Sequence, residues 1–110
     1  MKTLLILIMF LPLSINAQID GEWYTTFIVM GTTGNMKIEI KSQSPSSIFI
    51  SDSDGAFGPI PLDDHTITDK NINFKWKAIG LSFEGIYSSK ESNIKGEMTQ
   101  NGINWDVIFT

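Results

Sequence analysis

The sequence contains no cysteine. That excludes disulfide staples, thiol nucleophiles and thiolate metal sites. It contains no arginine, and its eight lysines face twelve acidic residues. Such a chain lacks the basic footprint that nucleic acid requires and the cationic patch that draws a protein to an anionic membrane surface. Histidine occurs once, so a zinc site would need several well-placed carboxylates. There is no Gly-x-Ser-x-Gly elbow and no Asn-x-Ser/Thr glycosylation acceptor. No stretch has helical periodicity, and no linker, repeat or low-complexity tract is visible. The longest apolar run, Leu4 to Leu13, is too short to span a bilayer.

That run has another use. Lys2 precedes it, and Ser14-Ile15-Asn16-Ala17 follows, ending on a small residue. The three-part layout predicts a secretory signal peptide over residues 1–17, cleaved after about Ala17, and hence a secreted or periplasmic protein with no membrane span in the mature chain. The remainder, 18–110, is one domain of 93 residues, with seven lysines against twelve acidic residues and a formal charge of −5. Without disulfides it must be held by its core, which favours a closed, well-packed architecture.

The mature chain reads as short strands. In Asp20–Met30, Trp23, Thr25, Phe27 and Val29 share one face. In Asn35–Ser42, Met36, Ile38 and Ile40 alternate with Lys37, Glu39 and Lys41, the period of a strand with one dry and one wet face. Gly31 to Gly34 is expected to turn between them. Ser47–Ser51, His65–Thr68, Asn71–Lys77, Leu81–Tyr87, Ile94–Gln100 and Ile103–Phe109 continue the series, and Asn101-Gly102 is a strong two-residue hairpin signal. Eight antiparallel strands with one dry face predict an all-β fold. An up-and-down barrel of the lipocalin or avidin kind is favoured because closure removes exposed edges; a β-sandwich is the alternative.

One stretch breaks the alternation. Ser51–Leu62 carries two glycines, two prolines and two aspartates in twelve residues. It is expected to fold over one end of the barrel as a lid, with Asp52, Asp54, Gly55, Phe57, Gly58 and Ile60 as its marked residues. Together with Gly21-Glu22-Trp23, Phe83-Glu84-Gly85 and Ile94-Lys95-Gly96…Gln100-Asn101-Gly102, the segment Ser51-Asp52-Ser53-Asp54-Gly55-Ala56-Phe57-Gly58-Pro59-Ile60-Pro61 resembles a family: the small secreted calycin-like β-barrel domain found ahead of bacterial α/β-hydrolases of the serine aminopeptidase type. This copy is one residue short near Asp54 and has Pro59 in addition beside Ile60. The resemblance implies a non-catalytic accessory barrel with an α/β-hydrolase as partner, in the same polypeptide or as a separate protein. The sequence ends at Thr110, which leaves both a stand-alone barrel and a piece of a longer product open.

The chemistry-bearing candidates are few. Asp52 and Asp54 before Gly55 resemble the start of a calcium loop, but the later ligands are missing, and aspartates that cap their own turn account for them better. Asp63, Asp64 and His65 form one cluster with an imidazole, read as a solvated turn, since nothing positions a nucleophile beside it. The aromatic set offers a ligand cavity inside the barrel, with Trp23, Phe27, Phe74, Trp76, Phe83 and Trp105 as walls and Gln100 and Tyr87 as polar groups to orient the ligand. A small eight-stranded barrel can equally be filled by those side chains. The function expected is therefore accessory to a hydrolase, or alternatively binding of a small apolar or amphipathic ligand, without a cofactor or metal.

Overall fold

A computed structural model describes residues 19–54 and 56–110. The expected signal peptide and Gly55 lie outside the described residues. The fold is all-β. In chain order the strands are β1 (Gly21–Val29), β2 (Thr32–Lys41), β3 (Ser47–Ser51), β4 (Ile60–Pro61), β5 (Asp64–Thr68), β6 (Asn71–Trp76), β7 (Leu81–Ser88), β8 (Asn93–Gln100) and β9 (Ile103–Phe109), with one 3₁₀ turn at Lys77–Ile79. They form two antiparallel sheets, ordered β1-β2-β3-β4 and β5-β6-β7-β8-β9. Two such sheets are compatible with the sandwich alternative. Among the described residues no helix is long and apolar enough to cross a membrane.

The alternation in the sequence is the alternation in the sheets. Trp23, Met36, Ile38, Ile40, Ile48, Ile50, Ile72, Phe74, Leu81, Phe83, Tyr87, Ile94, Met98, Val107 and Phe109 are buried in one continuous core. Their neighbours Lys37, Glu84, Lys95 and Glu97 stay at the outer face. Asn101 and Gly102 both take positive φ (51° and 83°) and close the β8–β9 hairpin as expected.

Two expectations need correction. The turn between β1 and β2 is not Gly31–Gly34 but Met30-Gly31, with φ of 52° and 78°, and Val29 pairs directly with Thr32. Gly34 belongs to β2 opposite Phe27, where a Cβ would lie 2.6 Å from the Phe27 ring. Its glycine serves close approach, not chain reversal. The strand count is nine rather than eight, because the expected lid ends in a two-residue strand. Ile60 pairs with Ile50 and Pro61 with Phe49. A proline can sit there because it lies at the edge of that sheet, where no ladder donor is needed.

The two sheets approach at both margins. On one side Tyr24 and Thr110 exchange backbone hydrogen bonds of 2.8 and 2.9 Å, joining β1 to the residue after β9. On the other, only Leu62 and Asp63 separate β4 from β5, and Ser46 Oγ, just before β3, lies 3.1 Å from His65 Nε2 on β5.

Candidate functional site

Ring contacts sort the predicted aromatic set into three levels. At one end Trp23 meets Tyr87 edge to face, centroids 5.9 Å apart, and the Trp23 indole N–H donates to Ile19 O at 2.9 Å. In the middle Phe74 stacks on Phe83 (5.2 Å), and Phe83 meets Phe109 edge-on (5.3 Å). All three of these phenylalanines are fully buried. At the other end Trp76, Leu81 and Gln100 stand in one row across β6, β7 and β8. There Phe27 packs on Trp105 and Phe57 on Trp76, each pair 5.6 Å between centroids.

That third level is not filled. It bounds an open cavity of about 420 Å³ whose walls include Phe27, Met36, Phe57, Trp76, Leu81 and Trp105, with Ile79, Asn35 and Gln100 also on its lining. Of the eight predicted interior residues, Phe27, Trp76, Gln100 and Trp105 meet here. Trp23, Phe74, Phe83 and Tyr87 lie in the packed levels away from it. Sequence reasoning missed Ile79, since it sits on the 3₁₀ turn and belongs to no strand pattern. It also missed Asn35, which begins the wet face of a strand only by period. A larger depression of about 850 Å³ lies along the outer face of β6–β9, among Glu84, Lys95, Glu97 and Asp106. Its charged, solvated walls suit a ligand less well than the aromatic cavity does.

The stretch Ser51–Leu62 supplies one wall. Phe57 reaches Trp76 from it while remaining 41% exposed. Leu62, at its far end, is buried in the core. Gly58 has φ of 86°, and a Cβ there would lie 2.7 Å from Ser51 Cβ and 2.8 Å from Ile50 O. Glycine is required twice over, by backbone conformation and by space. The Asp52 N–H donates to Phe57 O at 3.3 Å, and the Asp52 carboxylate accepts the Asp54 N–H at 3.1 Å. Asp52 therefore acts in its own turn. Ile60 is half-buried beside the core.

His65 is held by two contacts. Its Nδ1 lies 2.6 Å from Leu62 O, and its Nε2 lies 3.1 Å from Ser46 Oγ. A carbonyl only accepts, so Nδ1 carries the proton, and in the neutral ring Ser46 donates to Nε2. Asp64 turns instead to Lys77 at 3.4 Å. The imidazole thus ties the β2–β3 turn to the start of β5, and its Nδ1 is spent on a backbone carbonyl rather than on a carboxylate. Ser46 lies nineteen residues away, and no spacing in the sequence announces the pair.

Groups of three or more His, Cys, Asp or Glu able to hold a metal ion are absent among the described residues. No protein-family model, curated protein or solved structure matches the chain.

Proposed function

We propose that the two sheets form one closed barrel and that its mouth binds a small, uncharged apolar or amphipathic molecule, the protein acting as a secreted, non-catalytic binding module. The observation that carries this is the third aromatic level. Phe27, Trp76, Trp105 and Phe57 surround open space, whereas the two levels below are packed. Rings turned toward a void forgo contacts that a ligand would restore. Closure is supported at one margin by the Tyr24–Thr110 pair and at the other by the contact of Ser46, just before β3, with His65 on β5. The proposed α/β-hydrolase partner rests on the resemblance of Ser51–Pro61 and the glycine-bearing strands alone; co-purification of a hydrolase with the tagged protein from its own host tests it.

The binding test uses the neutral dye Nile red. Saturable one-to-one binding is expected. Ile79 lines the cavity and is 40% exposed, so Ile79→Trp should obstruct the mouth with little effect on folding. Its expected result is at least tenfold weaker dye binding at an unchanged Tm. Absence of saturable binding, or binding indifferent to Ile79→Trp, would overturn the proposal.

A further inference from the structure

We infer that the mouth cavity selects uncharged molecules bearing a hydrogen-bond-accepting oxygen, and that Trp105 Nε1 is the donor that engages it. This inference rests on the binding function proposed above and adds the chemistry of the ligand.

Three observations converge. Among the described residues no ionisable side chain lines the cavity, so a charged ligand would shed its hydration there without a counter-charge. The Trp105 indole N–H is shut off from solvent and has no hydrogen-bond partner among the described residues. A buried donor without an acceptor is a standing cost, and the cavity that Trp105 lines is where an acceptor can enter. The contrast with Trp23 is internal to the fold: its N–H is satisfied by Ile19 O. Two other polar atoms on the lining are already engaged. Gln100 Nε2 donates to Ile79 O at 3.1 Å, and Asn35 Oδ1 accepts from Thr26 Oγ1 at 2.9 Å. A modest turn of the Trp105 ring against Phe27 would present its N–H to a carbonyl, ether or hydroxyl oxygen, while the ring faces hold the apolar part.

The test compares two near-isosteric neutral probes, 2-acetylnaphthalene and 2-isopropylnaphthalene, with 2-naphthoate as the charged analogue, all by displacement of Nile red. Trp105→Phe keeps a ring and removes the donor. It is expected to weaken the ketone about fivefold, the value of one neutral hydrogen bond, and to leave the hydrocarbon within about twofold. In the wild-type protein, 2-naphthoate should bind more weakly than the ketone. A second measurement needs no substitution: the Trp105 indole ¹H–¹⁵N resonance should move downfield with the ketone and not with the hydrocarbon. Equal loss for both neutral probes with no such shift, or binding of 2-naphthoate as tight as the ketone, overturns this inference and leaves the binding function standing. Failure of both neutral probes to displace the dye from a cavity that binds it also overturns the inference. If the dye itself does not bind, the function falls and the inference with it.

Discussion

Gly58→Ala tests how the Ser51–Leu62 stretch is held. The substitution forces an L-residue to φ of 86° and places a methyl 2.7 to 2.9 Å from atoms of Ser51 and Ile50. The left-handed backbone costs about 1–2 kcal/mol. Overlap with atoms of β3 adds about 1–3 kcal/mol, because a strand paired on both sides does not shift cheaply. Against this, two interactions fasten the tip of the stretch. The Phe57–Trp76 ring contact contributes about 0.5–1.5 kcal/mol. The bond from Asp52 N–H to Phe57 O, long at 3.3 Å, contributes about 0.5–1 kcal/mol. The fastening is weaker than the clash, so this stretch should yield and the sheets should not. Hydrogen exchange across 52–60 is expected to accelerate, and Trp76 emission to shift to the red as Phe57 leaves it. The global Tm should fall by about 4–20 °C, since releasing the stretch forfeits only its fastening, about 1–2.5 kcal/mol. A Tm loss well beyond that with 52–60 still protected would overturn this expectation, because the strain would then be carried by the core. Unchanged exchange and emission would refute it as well.

Other outcomes follow from the same geometry. Gly96 stands opposite Gly85, and a Cβ on it would overlap Glu84 O and lie 2.6 Å from Gly85 Cα; Gly96→Ala should cost about 3 kcal/mol and lower the Tm by more than about 12 °C in a thermal melt. Glu97 is paired across the sheet with Glu84 on one side and Asp106 on the other. Glu97→Lys should therefore stabilise the protein by about 0.5–1 kcal/mol in urea unfolding, with the gain shrinking as salt is added. The hydrogen bond and charge of Lys37, 3.1 Å from Glu22, hold the Glu22 carboxyl below its ordinary value and raise Lys37 in return. Any stability from Glu22 is then present above its unfolded value and lost as pH falls through the folded one, while that from Lys37 is lost as pH rises through its raised value. Both groups are solvent-exposed, so the measurement is an NMR titration, in which Lys37→Met should return Glu22 to the ordinary carboxylate range.

Much of the fold was legible in the sequence, because a strand's two faces are a local property. Period two in Met36–Lys41 and Asn71–Lys77 assigns each side chain to core or water without reference to any other strand. Asn101-Gly102 likewise closes its hairpin from the backbone preferences of two residues. The β1–β2 turn was misplaced because Met30 gives no sign that it will take a positive φ; the pairing of Phe27 with Gly34 selects that register, and this is a contact between strands. The same limit governs the candidate site. Composition announces three tryptophans, but only the sheet decides that Trp76 and Trp105 share a void while Trp23 is sealed against Tyr87. Ser46 reaching His65, Tyr24 bonding Thr110, and Phe57 crossing to Trp76 join residues far apart in the chain. Local alternation is enough to make this an all-β chain with one dry face per strand. Tertiary structure alone decided which of the dry side chains pack and which are left facing space, because packing is settled by register across strands and no period along the chain encodes it.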